Sequence, residues 1–338
     1  MSESHSQNFN HLKIHTQYSI CEGAARIDDL QEYSKKNKIK SLGLCDTSNL
    51  CGALEFAEKI SKSGTQPIIG TQINFKIGET IGLLPLFALN EAGYKNIIEL
   101  SSLSYLENDE LSDPHVDFEL LLSNSKGVAV FSGTVFGLFG KLFDKGKFSE
   151  IDELYNKIKN TFNDRFYLEI QRHNDQNEIG FEKFNLKKSL DLEIPIIATN
   201  EVFYLDKEMH EAHDALICIG NKTYVNEKNR FKLTDQHYLK TNSEMSELFA
   251  DLPEALENNY NFPLRCSYRP LFSNPILPNI SSDKDGNADA ILKKDSIKGL
   301  KVKFNKIFNL SDEDLENNNS YREYKTRLNH EISIIVEM

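Results

Sequence analysis

The hydrophobic positions of the chain form short runs that end in polar residues. Such runs are HLKIHT (11–16), LGLCDTSN (42–49), IIGTQIN (68–74), VAVFSGT (128–134) and IIATNEVFY (196–204). Runs such as VAVFSG are apolar at successive positions rather than alternating, as expected for strands covered by helices on both faces. We predict seven strands, at 11–16, 41–46, 67–76, 83–89, 127–133, 166–171 and 195–200.

Apolar positions at helical spacing lie between these strands. One set is Leu50, Leu54, Ala57 and Ile60, and a second is Ile151, Leu154, Ile158 and Thr161. Spacings of three and four residues place each set on one face of a helix. The alternation of strand and helix predicts a parallel α/β barrel or a doubly wound sheet. Polar residues at several strand ends favour the barrel, because a barrel carries its chemistry there.

The pattern changes after residue 205. We predict a helix over 208–220, with Ala212, Ala215, Leu216 and Ile219 facing inward. Two short helices are predicted within 243–262, the second beginning at Pro253 with Asp251 as its cap. Residues 269–287 contain three prolines, a glycine and several Ser and Asx residues, and are the best candidate for a linker.

Two further helical patterns follow, at about 287–307 and 320–338. In the second, an apolar stripe is formed by Tyr321, Tyr324, Leu328, Ile332 and Ile335. The sequence stops at Met338 without a residue that ends a helix. We expect the chain to be a piece of a longer protein, with this stripe facing solvent in the isolated piece.

Composition indicates a globular protein: 39% of the residues are hydrophobic and 27% are charged. No apolar run approaches the roughly 20 residues that span a bilayer, and no export signal is visible, so we expect a cytoplasmic location. The five cysteines lack CxxC spacing and are expected to be reduced. A net charge of −12 argues against a surface that binds DNA as a whole, and the lysines between 293 and 306 are read as a solvated helix face.

The polar strand ends carry a mixture of metal ligands and non-ligands. His15, Asp46 and Glu201 have side chains that can bind a divalent ion. The neighbouring positions are unsuited to a metal, because an ammonium repels cations, phenyl offers no donor, and neutral oxygens are weak donors; they are Lys13, Thr47, Gln72, Thr134 and Phe203. This combination predicts a retained scaffold without its chemistry.

A set of motifs in this order resembles the N-terminal region of the bacterial DNA polymerase III alpha subunit. The motifs include FNHLKIHTQYSICEG, LGLCDTSNLCGALEF, QPIIGTQINF, FYLEIQRHN, IPIIATNEVFYL and YREYKTRLNHEISIIVEM. The resemblance covers 9–338. It implies an α/β fold, in which a distorted (βα)7 barrel of the polymerase and histidinol phosphatase (PHP) type is followed by a short, mainly helical segment. The implied divisions are a disordered tail at 1–8, the PHP domain at 9–273, and the linker and truncated start of the polymerase palm at 274–338.

The resemblance also identifies the site positions. The family's His-x-His corresponds to Lys13 and His15, and the acid that follows corresponds to Glu22. The remaining positions are Asp46 and Thr47 after the second strand, Gln72 after the third, Thr134 in Ser-Gly-Thr, and Glu201 and Phe203 in Asn-Glu-Val-Phe. His173 matches a family motif without an assigned role. Since five ligand positions are replaced, we predict a degenerate pocket that binds no metal, in which Lys13 pairs with Asp46 or Glu201 and His15 with Glu22 or Asp46.

Three classes of function are compatible with the chain. The first is the N-terminal part of a DNA-directed DNA polymerase, whose PHP domain supports the structure and docks a proofreading exonuclease subunit. The second is a metal-dependent PHP phosphoesterase or exonuclease, and the third is a separate binding module. We favour the first. The resemblance implies other replicase subunits as partners, DNA contact only through the full-length polymerase, Mg²⁺ for that polymerase, no cofactor or catalytic residue in this fragment, and no membrane contact.

Overall fold

The computed structural model describes residues 9–108, 112–275, 288–308 and 312–337. It divides into two compact units, Met1–Phe272 and Ser273–Met338. The expected tail at 1–8 and residues 276–287 of the expected linker lie outside the described residues.

The first unit contains alternating strands and helices. Its described strands are β1 (Lys13–Ile14), β2 (Ser41–Thr47), β3 (Gln66–Ile77), β4 (Thr80–Ala88), β5 (Val116–Asp117), β6 (Val128–Phe131), β7 (Phe166–Ile170), β8 (Ile196–Ala198) and β9 (Glu201–Val202). Its described helices are α1 (Ile27–Asn37), α2 (Ala53–Lys62), α3 (Glu91–Leu106), α4 (Phe118–Ser123), α5 (Leu138–Asp144), α6 (Phe148–Phe162), α7 (Gln176–Leu192), α8 (His210–Asn221), α9 (Asn242–Leu248) and α10 (Pro253–Asn261). None of the helices described in either unit is long and apolar enough to cross a membrane.

The main sheet is mixed rather than parallel. Its order is β2-β3-β4-β6-β7-β8, with β5 added beside β3. Strand β4 runs antiparallel to both β3 and β6, while the other pairs of this sheet are parallel. The expected parallel order is wrong at β4 because only Gly78 and Glu79 separate β3 from β4. Gly78 adopts a positive φ of 55°, and so short a turn reverses the chain into a hairpin.

Strands β1 and β9 form a parallel pair beside the open ends of the curled sheet. On one side, Gly43 of β2 donates its N–H to the carbonyl of His11 at 2.7 Å. On the other side, the buried Asn259 of α10 donates from Nδ2 to the carbonyls of Asn10 and Ala198, at 2.9 and 3.0 Å. Its Oδ1 accepts from the Asn10 N–H at 2.8 Å. A side chain therefore replaces strand pairing where the half-barrel closes.

Helix α8 buries a face one position away from the predicted one. Its buried residues are His213, Asp214, Ile217 and Cys218, whereas Ala212 and Ile219 are exposed. The prediction failed because two polar residues find partners inside. Nε2 of His213 lies 2.7 Å from the Glu22 carbonyl, and Asp214 forms a two-pronged ion pair with Arg230 at 2.7 and 2.5 Å.

The predicted cap of α10 is also wrong. Leu252 occupies the N-cap position, and Pro253 begins the helix as predicted. Asp251 instead binds Arg172 through both carboxylate oxygens, at 2.6 and 2.9 Å. A guanidinium presents two parallel donors to a carboxylate and competes well with a single backbone N–H.

The second unit contains α11 (Ala288–Phe308), α12 (Asp312–Asn317) and α13 (Asn319–Glu337). Phe304, Leu315 and Tyr321 form a small buried cluster. The apolar stripe of α13 is therefore divided. Tyr321 and Ile332 are buried, whereas Tyr324 and Ile335 are each 57% exposed.

Candidate functional site

A buried lysine lies at the centre of the predicted pocket. Lys13 of β1 is fully buried, and its Nζ lies 3.1 Å from Oε1 of Glu201 and 3.4 Å from Oε1 of Glu169. The register of the short sheet explains the first contact, because Lys13 and Glu201 are direct partners across β1 and β9. Lys13 thus pairs with Glu201, one of its two predicted partners, and with Glu169, which was not predicted.

The charges of this cluster are strongly coupled. Burial alone would lower the pKa of Lys13, but Glu169 and Glu201 raise it above its usual value. Burial would likewise raise the pKa of Glu201, yet Lys13 and the hydrogen bond to His15 bring it far below the usual value. For Glu169 burial prevails, and its pKa is raised despite Lys13. The ammonium is therefore matched mainly by the Glu201 carboxylate, as a buried charge requires.

His15 completes the cluster from a neighbouring position on the first strand. Its Nε2 lies 3.2 Å from Oε1 of Glu201. The Phe203 ring stacks on the imidazole, with centroids 4.5 Å apart and planes 20° from parallel. The predicted pairing of His15 with Glu22 or Asp46 is wrong. Phe203 covers one face of the ring, and Glu201 takes the nitrogen that a metal would need.

Asp46 is held by the loop after β1 instead. Its Oδ1 accepts from the Thr16 N–H at 2.6 Å and from Ser19 Oγ at 2.7 Å, and its Oδ2 accepts from Thr16 Oγ1 at 2.8 Å. Burial raises the pKa of Asp46, although these hydrogen bonds oppose the rise. The carboxylate therefore orders a loop and does not point to Lys13.

The remaining predicted positions bond to protein groups. Gln72 donates from Nε2 to Oγ1 of Thr47 at 3.1 Å, so two replaced ligand positions satisfy each other. Oγ1 of Thr134 accepts from the Phe136 N–H at 3.0 Å. Glu22 accepts from His213 through its backbone, and its half-buried side chain lines a cavity.

His173 belongs to a second buried layer. Its ring stacks on His237 with centroids 4.1 Å apart and planes 5° from parallel. Its Nδ1 lies 2.9 Å from Glu178, and its Nε2 accepts the Glu201 N–H at 3.2 Å. Burial, helped by Lys240, lowers the pKa of His173 to about 3. A neutral imidazole here supports the backbone of Glu201.

A cavity of about 420 Å³ opens beside the cluster. Five predicted site residues line it: Glu22, Gln72, Thr134, Glu201 and Phe203. Lys13, His15, Asp46 and Thr47 are not among its lining residues. The structure thus brings the predicted positions to one region, with the lysine cluster behind the cavity wall.

Sequence reasoning missed Glu169, although a signal was present. Along β7, Phe166, Leu168 and Ile170 join the large core beneath the helices, whereas Tyr167 joins a separate cluster with Leu12 and Ile197. Alternation places Glu169 on the side of Tyr167. A charged residue at a buried position of an apolar strand indicates a buried partner of opposite charge. His237 and Lys240, also missed, lie in a loop that carried no such signal.

A divalent metal, which the PHP resemblance implies, does not fit these residues. The Lys13 ammonium lies where it repels a cation, and Glu201 and His15 are committed to each other. Within the described ranges, no group of three or more His, Cys, Asp or Glu side chains is arranged to hold a metal ion. The absence of bound metal nevertheless stays a prediction.

Comparison with known families places this geometry in context. The profile of the PHP domain matches residues 11–173. The chain carries a PHP domain. The curled sheet and the helical segment after it agree with the fold expected from that domain.

Relatives match far beyond the PHP domain. The DNA polymerase III subunit alpha of Caulobacter vibrioides is 33% identical over 351 residues, covering 100% of this chain and 30% of its own length. The subunits of the same name from Rickettsia conorii and Vibrio cholerae are 35% and 30% identical, each covering 98% of this chain and 28% of their own length. The resemblance to the alpha subunit is thereby confirmed, and the chain spans less than a third of these relatives.

Among solved structures, a Bifidobacterium adolescentis protein described as a metal-dependent phosphoesterase aligns with a TM-score of 0.39 and 12% identity. The alignment covers 57% of this chain and 86% of that protein. At this level of similarity it carries no functional inference.

Proposed function

We propose that this chain is the N-terminal part of a replicative DNA polymerase III alpha subunit, and that its PHP domain is a non-catalytic support. The Lys13 ammonium, buried against Glu201 and Glu169, is the observation that carries the proposal. A hydrolytic PHP site would need metal ions there to activate water and stabilise the phosphoryl oxygens. A fixed ammonium does not lower the pKa of a bound water in that way.

The other replaced positions support the same conclusion. Phe203 fills space against His15, and Gln72 bonds to Thr47. Each replacement contacts protein groups that a metal ligand would have to leave. Polymerisation would depend on carboxylates outside this chain, with Mg²⁺ as their ion, and DNA would be contacted through the full-length protein in the cytoplasm.

We further propose that 9–273 docks a proofreading exonuclease subunit. A domain without chemistry of its own is free to serve as a binding surface, and a chain of net charge −12 is better suited to a protein partner than to DNA. Other replicase subunits would assemble on the full-length protein.

Two assays test these proposals. Purified chain is incubated with Mn²⁺, Zn²⁺ or Mg²⁺ and either bis-p-nitrophenyl phosphate or a 3′-labelled DNA strand. We expect no hydrolysis above that of a His15→Ala control, and hydrolysis lost in that control would establish the phosphoesterase alternative. For docking, the chain is co-purified with the cognate exonuclease subunit. Binding by the full-length alpha subunit but not by this chain would place the docking site elsewhere.

A further inference from the structure

The cavity beside the Lys13 cluster has an acidic, aromatic lining. Glu22 and Glu201 contribute carboxylates, and Phe136, Phe203 and Phe231 contribute rings. No Lys, Arg or His occurs among its lining residues in the part of the chain that the structure describes. Its volume of about 420 Å³ lies within the range of small-molecule sites.

Glu201 offers an oxygen to this cavity. The side chain is 8% exposed, and both Lys13 and His15 contact the same atom, Oε1. Oε2 has no recorded hydrogen bond or ion pair to the described residues, and it is not among the buried atoms that lack a partner. It therefore faces the cavity as an acceptor. The carboxylate is ionised, since Lys13 and His15 lower its pKa.

The mouth of the cavity is apolar and open. Ile20 is 82% exposed, Phe231 47% and Phe136 37%, and all three belong to the lining. The rings of Phe136 and Phe231 meet edge to face, with centroids 5.4 Å apart. An apolar rim over an acidic floor is complementary to an apolar stem that ends in a positive charge.

We propose that this cavity binds an organic cation, an ammonium or guanidinium group on an apolar stem. The cationic head would meet Glu22 and Oε2 of Glu201, and the stem would lie against the phenylalanine rings. Phosphate esters are disfavoured, because no cationic side chain in the lining offsets their charge. The proposal rests on the proposed absence of a metal, since a metal at Glu201 would occupy the same acceptor.

The test uses the whole chain, labelled with ¹³C at the isoleucine δ1-methyl groups. Ile20 and Ile217 both line the cavity, and their signals are assigned with Ile20→Val and Ile217→Val. The probes are n-hexylamine, 1-hexanol and hexanoate, which share one stem and differ in charge. We expect n-hexylamine to shift both methyl signals saturably, and the other two probes to bind at least about tenfold more weakly. Equal binding of hexylamine and hexanol, or preferential binding of hexanoate, would overturn the proposal.

Variants locate the site. Glu22→Gln should weaken hexylamine binding by about threefold to tenfold, as expected for a half-buried charge contact. Glu91→Gln is the matched control, because Glu91 is exposed on α3 and pairs only with the next helical turn. Equal Kd values for the two variants would show that the cation does not bind at this cavity. An unchanged methyl spectrum of Glu22→Gln without ligand confirms that the variant is folded.

Two further arms separate the explanations. The capped peptide acetyl-Leu-Lys-Leu-amide presents the same ammonium on a polypeptide. Tighter binding of the peptide assigns the cavity to a basic side chain of a partner, and tighter binding of hexylamine assigns it to a free amine. Titration with Mn²⁺ tests the metal: selective broadening of Ile20 and Ile217 would refute the proposed function as well. Failure of every amine without such broadening would refute the cation site alone.

Discussion

At the scale of single residues, Lys13 is the decisive replacement. Its exposed fraction is zero, and the two carboxylates beside it are nearly as buried. Desolvation of such a charge is tolerated only with a partner of opposite sign. The sequence allowed the metal-site interpretation to be rejected, because Lys and Phe are unmistakable at ligand positions. It could not select Glu201 over Asp46 as the partner, since that choice depends on the β1–β9 register.

Replacing Lys13 by Met should destabilise the first unit. Glu201 would remain buried without its cation, which we expect to cost about 3–5 kcal/mol. Lys95→Met is the control, because Lys95 forms an exposed pair with Glu91 and should cost under about 1 kcal/mol. Urea unfolding at pH 7.5 measures both, and similar losses for the two variants would contradict the role given to Lys13.

The same pair predicts a dependence on acid. The pKa of Glu201 is lower in the folded state than its ordinary value of 4.5. Its contribution is therefore fully present above pH 4.5 and lost as the pH falls through the folded value. In Lys13→Met the lowering disappears, so the deficit against the parent chain should shrink below pH 4.5. A deficit that is constant from pH 7.5 to the lowest pH at which the chain stays folded would argue against this coupling.

At the scale of elements, side chains perform tasks that the strand pattern did not reveal. The sequence predicted the positions of the long strands well, because continuous apolar runs bounded by polar residues mark them. It missed β5 and β9, which are two residues long, and the reversal at β4. It missed the polar buried face of α8 because His213 and Asp214 are buried only through partners distant in the sequence.

Asn259 should be critical for closing the half-barrel. Asn259→Ala leaves the Asn10 N–H and the carbonyls of Asn10 and Ala198 without this side chain. Buried groups left unpaired cost about 1–3 kcal/mol each, so we expect a loss of at least about 3 kcal/mol. The neighbouring Asn258 donates one bond, to the Ile196 carbonyl at 2.8 Å. Asn258→Ala should cost clearly less in the same unfolding assay, and the opposite order would contradict the closure.

The start of α7 should titrate near neutral pH. Glu178 accepts from the His173 N–H at 2.7 Å and completes a capping box with Asp175. Burial raises its pKa to about 7, so the folded chain holds a proton that the unfolded chain releases above pH 4.5. The contribution is complete below pH 4.5 and is lost as the pH rises through 7. Glu178→Gln should therefore gain stability relative to the parent between pH 5 and 8, by about 1–3 kcal/mol. Glu58→Gln, on the surface of α2, should show no such trend.

At the scale of the whole molecule, the chain joins a PHP unit to a separate helical unit and spans under a third of its named relatives. The motif order in the sequence was sufficient to recognise this family. It was insufficient for the second unit, where the burial of Tyr321 with Phe304 and Leu315 depends on contacts between helices.

The chain alone should not polymerise DNA. Nucleotidyl transfer uses carboxylates that hold two metal ions, and we assign these to the part of the relatives that lies beyond this chain. A primer–template assay with Mg²⁺ and nucleotides should show no extension, whereas the full-length subunit should extend the primer. Extension by the chain itself would refute the proposed division of function.

The most direct test of the central claim is the metal content of the pocket. The chain is incubated with Mn²⁺ and Zn²⁺, dialysed, and analysed by mass spectrometry of the elements beside its His15→Ala variant. With Lys13 buried against Glu201, we predict well under one metal ion per chain and no difference between the two proteins. One or more ions per chain that are lost in His15→Ala would contradict the account.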